Sequence, residues 1–401
     1  MRIARPLSLL FAIATVACGD QTVAPGARVN EQIFLTRHDG DQQIGTVAMA
    51  LPTRMVVRAH DAAGRSRAGV PVTFQVAIGD GWVENGEEML TDENGLVSTV
   101  WYMGPRPGAN ILHARAGSAT TGFRASATEL EPGVTYVGTD GLVEMTVGDL
   151  PVIVTAPHGG TLTPAGVPVR ADGGAPDVHS ADVASAIAGA FESPTSRPTV
   201  LVSRLSRGML DVDRALPGPP VHPVALRAWQ EYHALLAAAR TRLEDANVRG
   251  LIVDVHGHDT SDDAVQLGYL LTSADLAEPD FTLNGSTYML KSSIRDAARG
   301  QVSFARVVRG ERSLGGLLDG SGYAAVPSPA RAAPAGADYL AGTFTTNRYG
   351  SRDGTLVSAV SLQAPLHVRA PGPQRSAFAT AFAAALDAFF DDNIGASLYS
   401  R

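Results

Sequence analysis

The stretch "GLIVDVHGHD", residues 250–259, changes abruptly from apolar to titratable side chains. Residues 251–253 are Leu, Ile and Val, a run that is typical of a strand buried inside a sheet. The titratable groups that follow are Asp254, His256, His258 and Asp259. Because ligands of open α/β sheets collect beyond the carboxyl ends of strands, this segment predicts a central strand that ends at a functional site.

Strand-like and helix-like patterns alternate on both sides of this segment. The strand-like runs are residues 150–158 and 199–206, and the helix-like segments are residues 181–191, 224–246 and 377–390. Such alternation is typical of helices packed on a largely parallel sheet. We therefore predict that residues 137–401 form one α/β domain with a mixed, largely parallel sheet.

Residues 33–128 have a different pattern, in which short alternating strands are separated by turn-forming residues. The strand-like runs are "TRMVVRAHD", "VPVTFQVAIGDG", "GLVSTVWYMG" and "NILHARAG". This pattern predicts an antiparallel β-sandwich. The segments "AGVPVTFQVAIGDGWV", "TDENGLVSTVWYMG" and "PGANILHARA" also resemble the bacterial Ig-like domains of invasin-type surface proteins. Residues 129–136 would link this all-β domain to the α/β domain.

The N-terminus predicts export. Two arginines precede an apolar stretch, residues 7–16, that is too short to span a bilayer, so residues 1–17 are interpreted as a signal peptide. Cys18, the only cysteine, resembles the lipidated cysteine of bacterial lipoproteins; an ordinary signal peptide is the alternative. Residues 18–32 would then be a polar tether that holds the protein on a membrane of the cell envelope, outside the cytoplasm.

Composition and motifs argue against two function classes. The chain is 45% hydrophobic and 18% charged, as in globular proteins, and its net charge is -8. An acidic chain without a basic run is a poor partner for nucleic acid, so we expect none. The sequence contains no G-x-S-x-G segment, which removes the main support for a serine hydrolase.

Two histidines and a carboxylate occupy positions that suit one zinc ion. His158 ends a predicted strand, Asp177 precedes a predicted helix, and His256 follows the central strand. Three such ligands from successive loops leave a fourth position for water, as in catalytic zinc sites. Asp177 has an alternative role as a helix cap. Strand periodicity places Asp254 on the face shared by His256 and His258, so Asp254 would orient a ligand histidine, and spacing leaves open which histidine binds.

Several motifs together resemble the N-formylglutamate amidohydrolase family, whose fold is related to that of zinc carboxypeptidases. They include "GDLPVIVTAPHGG", "LSRGMLDVDRA", "WQEYH", "LIVDVHGHD", "VQLGYLLTSADL", "SSIRDAARG" and "AVSLQAP", and they span residues 137–390. The resemblance implies a zinc-exopeptidase-like fold. It also implies that His158, Asp177 and His256 hold the metal, while Arg207 and Arg214 hold a substrate carboxylate.

The chain departs from the family pattern where a general base is expected. The family pattern has a glutamate after the glutamine of the late strand, whereas here Gln363 precedes Ala364, and alanine cannot transfer a proton. Three further residues also differ from those that the family pattern has at their positions; they are Asp213, Gln266 and Tyr349. If the domain is an enzyme, the remaining candidates for proton transfer are His258, Asp259 and His233.

Two functions follow as alternatives. The first is an exported zinc hydrolase that cleaves an amide or peptide-like bond next to a carboxylate in a small molecule or peptide. The second is a catalytically degraded hydrolase-like domain that serves as a surface binding or adhesion protein, with a cell-envelope polymer among its candidate partners. Ala364 favours the second alternative, and the three candidate metal ligands favour the first.

Overall fold

The structure, a computed structural model, describes residues 32–191, 196–216, 221–260, 262–300, 303–336, 338–395 and residue 398. The predicted signal peptide, Cys18 and all but the last residue of the predicted tether lie outside the described residues. Within the described ranges, no helix combines the length and apolar character that a membrane span requires.

The N-terminal part is all β. Its strands are β1 (Phe34–Asp39), β2 (Gln43–Thr46), β3 (Met55–His60), β4 (Pro71–Ile78), β5 (Trp82–Val83), β6 (Met89–Leu90), β7 (Leu96–Thr99), β8 (Trp101–Tyr102), β9 (Gly108–Ala116) and β10 (Ala119–Thr128). Two sheets form in the orders β1-β3-β7 and β2-β10-β9-β4-β6, and β5 pairs with β8. Alternate residues of β3 are buried among Phe74, Leu112 and Phe123, as a sandwich requires. The all-β prediction is confirmed, although β1, β2, β6 and β10 were not anticipated.

The remaining strands form one mixed sheet. They are β11 (Thr135–Val137), β12 (Val143–Thr146), β13 (Val152–Ala156), β14 (Thr199–Ser203), β15 (Gly250–His258), β16 (Val265–Gly268), β17 (Ala325–Val326) and β18 (Val357–Pro365). Their order is β11-β12-β14-β13-β15-β18-β16-β17. Strands β14, β13, β15 and β18 run parallel, and so does the pair β16-β17, whereas the other neighbours are antiparallel. The predicted mixed sheet is present, with β15 near its centre.

Helices cover both faces of this sheet. They are α1 (Ser180–Gly189), α2 (Pro223–Asp245), α3 (Ser273–Ala277), α4 (Asp280–Leu283), α5 (Ser286–Lys291), α6 (Phe304–Arg309), α7 (Leu314–Gly320), α8 (Phe344–Tyr349), α9 (Leu366–Arg369) and α10 (Pro373–Phe389). Helices α1 and α10 bury apolar residues against one face. Helix α2 buries apolar residues on the other face, where α8 also contacts β15 and β18.

The side chains of β15 alternate between the two faces of the sheet, and the two faces have different surroundings. Leu251, Val253 and Val255 belong to the core shared with α1 and α10. Ile252 belongs to the core shared with α2, so Asp254 and His256 point to the α2 side of the sheet. The central strand therefore presents its titratable groups on one face only, while the other face remains apolar.

The sandwich packs directly on the α/β domain. One continuous apolar core includes strands of the sandwich together with residues of α2 and β12. Polar contacts across this interface are Arg227 with Glu84 at 3.2 Å, Tyr102 with Thr139 at 3.1 Å, and Arg106 with Asp245 at 3.1 Å. Because Arg227 and Asp245 both belong to α2, this helix is held between the sandwich and the sheet.

Candidate metal centre

Three side chains from different elements meet at the carboxyl end of the sheet. His158 lies two residues beyond β13, Asp177 lies three residues before α1, and His256 lies in β15. The two Nδ1 atoms are 3.1 Å apart, and Asp177 Oδ2 lies 3.3 Å from that of His158 and 3.1 Å from that of His256. All three residues are buried. They are the three residues that were predicted from the sequence as metal ligands, and together they could hold a metal ion.

The other nitrogen of each ring is occupied by a carboxylate. His158 Nε2 lies 2.7 Å from Asp211 Oδ1, and His256 Nε2 lies 2.9 Å from Asp254 Oδ2. A carboxylate accepts, so each Nε2 donates its hydrogen and each Nδ1 of a neutral ring carries a lone pair. Such carboxylate–histidine pairs are the usual support of metal-binding imidazoles. The nitrogen lone pairs and the Asp177 oxygen are thus directed at one point.

The geometry fits a small divalent cation. Ligands about 2.0–2.1 Å from a tetrahedral zinc ion lie about 3.3 Å from one another. The three donor atoms here are 3.1 to 3.3 Å apart, close to that value. Three acceptor atoms at such distances repel one another unless a proton or a cation lies among them.

Asp254 fixes the orientation of His256 and is itself fully partnered. Its Oδ1 accepts from the Thr155 hydroxyl at 2.6 Å, and its Oδ2 accepts from the Thr343 hydroxyl at 2.6 Å. Burial raises the pKa of Asp254, but the charge of His256 and these hydrogen bonds outweigh burial and lower it. Asp254 is therefore an ionised partner of His256 whose two oxygens are held by threonine hydroxyls, and its orienting role stays a prediction.

The charges around the cluster favour the binding of a cation. Burial lowers the pKa of His256, but the Asp254 carboxylate and the hydrogen bonds to Asp177 and Asp254 hold it well above its usual range. Burial raises the pKa of Asp177, yet its hydrogen bonds to His158 and His256 bring it far below normal. A metal ion would replace the proton on His256.

Asp211 is a residue of the candidate site that the sequence analysis missed. Burial raises its pKa, but the hydrogen bond from His158, aided by Arg207 and Arg170, lowers it to about 2. The available signal was the acidic pair of "LDVD", in which only Asp213 was considered. Because the residue lies in the loop after β14, its contact with a histidine after β13 depends on how the chain folds.

Asp213 belongs to a second possible grouping with Asp254 and His256. Its Oδ1 accepts from the Thr345 backbone at 2.8 Å, and its Oδ2 lies 3.8 Å from His256 Nε2. Burial and the nearby Asp254 charge raise the pKa of Asp213 to about 6. The first grouping is the better metal site, because the two Asp254 oxygens already accept the two threonine hydroxyls.

Close packing explains the glycines that follow His158. A Cβ added at Gly159 would lie 2.5 Å from the Ala181 side chain at the start of α1. A Cβ added at Gly160 would lie 2.5 Å from the carbonyl oxygen of Leu205. Only glycine allows such approaches, so "HGG" lets the His158 loop fit between α1 and the segment after β14.

The structure does not bring the three candidates for proton transfer to the cluster. His258 Nε2 donates to the Ala264 carbonyl at 2.9 Å, and its Nδ1 faces Thr260. The Asp259 side chain is 74% exposed and paired with Arg369. Of the two histidines in "VHGHD", His256 faces the cluster, whereas His258 is turned into the loop that follows the strand.

The structure also contradicts the proton-transfer role that was predicted for His233. This residue of α2 is buried; its Nε2 donates to the Val212 carbonyl at 2.9 Å, and its Nδ1 accepts from the Tyr349 hydroxyl at 2.9 Å. Burial lowers its pKa to about 3. Both ring nitrogens are engaged, so His233 is a neutral packing residue, and Tyr349 serves as its partner in the core.

Because His233 is buried and neutral, we expect the free energy of unfolding to depend on pH. An unfolded histidine has a pKa of about 6.5, so below that pH the unfolded state binds the extra proton and folding is penalised. When the pH falls from 7 to 5, the free energy of unfolding of the wild type should decrease by about 2 kcal/mol more than that of the His233→Gln variant, both measured without metal. Urea unfolding at both pH values measures this. The matched control is His367→Gln, on a half-exposed histidine, which should behave as the wild type; equal pH dependence in all three proteins would contradict the prediction.

Ala364 does not face the candidate site. It belongs to the apolar core on the α1 and α10 side, with Val360 and Leu362. The site-facing residue of β18 is Gln363, which lies beside His256 in the parallel register. The expectation that a general base belongs at Ala364 is therefore wrong for this fold, because side chains alternate along the strand and that position points into the core.

The two predicted substrate arginines have different roles in the structure. Arg207 donates to Asp177 Oδ1 at 2.8 Å and thereby supports a candidate metal ligand. Arg214 lies 2.6 Å from Asp172, with 39% of its side chain exposed. It lines a cavity of about 400 Å³ that also reaches Asp211. Arg214 is thus the more available of the two for a ligand.

Comparisons with known proteins leave the family open. No family model matches the chain, and no curated protein matches it. Among solved structures, the gene product Atu2144 from Agrobacterium tumefaciens is 14% identical and has a TM-score of 0.34; the match covers 61% of this chain and 93% of that chain.

An adhesin and an integrin-binding protein are also among the similar structures. The Yersinia pseudotuberculosis adhesin InvE is 15% identical with a TM-score of 0.22, over 30% of this chain and 42% of that one. Invasin, a bacterial integrin-binding protein, is 15% identical with a TM-score of 0.20, over 28% of this chain and 25% of that one. The resemblance to invasin-type Ig-like domains and the relation to N-formylglutamate amidohydrolases stay predictions.

Proposed function

We propose that residues 137–401 form a zinc-dependent hydrolase domain related to the N-formylglutamate amidohydrolases, with a zinc-exopeptidase-like fold. The observation that carries the proposal is the set of three mutually facing donor atoms on His158, Asp177 and His256. Structural histidines usually turn both ring nitrogens to partners of their own, as His233 does. Here each Nδ1 is directed at another acceptor, an arrangement that a cation stabilises.

The residues around the site have separable roles in this proposal. A bound zinc ion would supply a Lewis acid and lower the pKa of a water molecule. His158, Asp177 and His256 would hold the ion, while Asp211 and Asp254 keep the two rings in the binding tautomer. Arg214 would hold the carboxylate of a small-molecule or peptide substrate in the cavity beside Asp211.

A binding protein without turnover is the second candidate. The position of β18 that faces the site carries an amide, Gln363, which cannot take a proton from water. Asp259 and His258 point elsewhere, so neither is placed to act as a base at the cluster. In this alternative the domain would retain its metal and a carboxylate ligand at the cell envelope, where a lipid on Cys18 would anchor it.

Metal analysis tests the proposal. The purified full chain should contain about one zinc ion, as one set of three protein ligands implies. His158→Ala and His256→Ala should each lose that ion, whereas His367→Ala, which removes a half-exposed histidine, should keep it. Retention of zinc by both ligand variants would rule the site out. A panel of N-acyl amino acids and peptides on the same samples separates the two candidates: cleavage supports the hydrolase, and zinc without cleavage supports the binding protein.

A further inference from the structure

Gln363 occupies the position next to a candidate metal ligand on the neighbouring strand. Strands β15 and β18 run parallel, and Gln363 lies opposite His256 in their register. Val360, Leu362 and Ala364 fill the core on the other face, so Gln363 points to the face that carries Asp254 and His256. Neighbouring strands are about 4.8 Å apart, which is well within the reach of a glutamine side chain.

The amide of Gln363 lacks a partner. Its side chain is 4% exposed, and its Nε2 atom has no hydrogen bond among the described residues. An unsatisfied buried donor costs about 1–3 kcal/mol. Gln266 lies opposite Gln363 on its other side, but its Oε1 accepts from the Leu340 backbone and forms no hydrogen bond with Gln363 Nε2. The missing acceptor is therefore expected from a ligand.

We propose that Gln363 Nε2 donates a hydrogen bond to an oxygen of a carboxylate bound at the metal centre. The inference rests on the proposed function, because it requires a metal ion on His158, Asp177 and His256. A neutral amide suits this task, since it donates to an anion without adding negative charge beside Asp177 and Asp254. Gln363 is thus a residue for recognition of a carboxylate ligand.

Cobalt(II) and acetate provide the test. Cobalt(II) replaces zinc in the full-length protein, and its visible absorption changes when acetate binds, which gives a dissociation constant. A hydrogen bond to a charged acceptor contributes about 1.5–3 kcal/mol, or about 10-fold to 150-fold in affinity. Gln363→Met keeps the length of the side chain but lacks the donor, so its acetate affinity should fall by at least about tenfold at unchanged cobalt content.

Two further variants keep the test decisive. Gln363→Glu has nearly the same shape and should weaken acetate at least as much, so it decides the matter if the methionine variant does not fold. Ser361→Ala is the matched control, because Ser361 is a buried, unpartnered hydroxyl on the same face of β18, beside Asp254; it should keep wild-type affinity.

The outcomes separate this inference from the proposed function. Wild-type protein that binds no cobalt overturns both. Wild-type protein that binds cobalt but not acetate overturns the role of Gln363 alone. Folded Gln363 variants with wild-type acetate affinity and full cobalt content also overturn that role alone, and the metal site stands.

Discussion

Ala364→Glu is expected to unfold the α/β domain under conditions in which Gln363→Glu stays folded. The Ala364 side chain is fully buried in the apolar core beside Val360 and Leu362. A carboxyl group placed there enters apolar surroundings, and documented buried glutamates reach pKa values of about 8–9, which corresponds to a cost of about 4 kcal/mol at pH 7; overpacking by the larger side chain adds about 1–3 kcal/mol. Typical domains have about 5–15 kcal/mol of stability, so most of it would be lost.

Gln363→Glu is the matched control, because it introduces the same residue one position earlier and on the opposite face. It changes one atom of the side chain and should cost much less, above all when the metal is bound. Thermal unfolding of zinc-loaded protein, followed by circular dichroism, compares the two. A stable Ala364→Glu beside an unfolded Gln363→Glu would show that the facing of β18 is the reverse of the one described here.

Removal of the sandwich, residues 33–128, is expected to leave an α/β domain that does not remain soluble. The core of the sandwich is continuous with that of α2. Ala238 and Leu243 of α2 border the same interdomain cavity as Val47 and Leu130. Each large apolar side chain that becomes exposed costs about 1.5–3 kcal/mol, and an exposed apolar patch of this kind promotes aggregation.

Expression of the chain from residue 129, followed by size-exclusion chromatography, tests this expectation. The control begins at residue 32 and lacks only the segment that precedes the described residues. The control should elute as folded protein, and the shorter chain should aggregate. A soluble, cooperatively unfolding product from residue 129 would show that the two domains are independent and that their shared core contributes little.

The candidate ligands were predictable from the sequence because strand ends converge. His158 and His256 follow apolar runs of two parallel strands, and such strands present their carboxyl ends at one edge of a sheet. Asp177 required the resemblance as well, since its position alone also suits a helix cap. In the structure it does not cap α1; it faces both histidines.

Asp211, Gln363 and His233 could not be assigned from the sequence. Asp211 reaches His158 across two loops, so no local pattern records the contact. The facing of Gln363 depends on the register of β18 with β15, and a shift of one residue reverses every side chain of a strand. His233 is neutral because α2 packs against Tyr349 and Val212, far away in the sequence.

The sequence by itself determined the alternation of the main strands and helices of residues 137–401, the division into an all-β and an α/β part, and the residues able to bind a metal. These properties depend on local periodicity and on side-chain chemistry, which are present in any short window of the chain. Only the tertiary structure decided which nitrogen of each histidine is free, which face Gln363 and Ala364 occupy, and which acids support the rings. Those properties depend on strand register and on contacts between distant segments, which arise only when the chain packs.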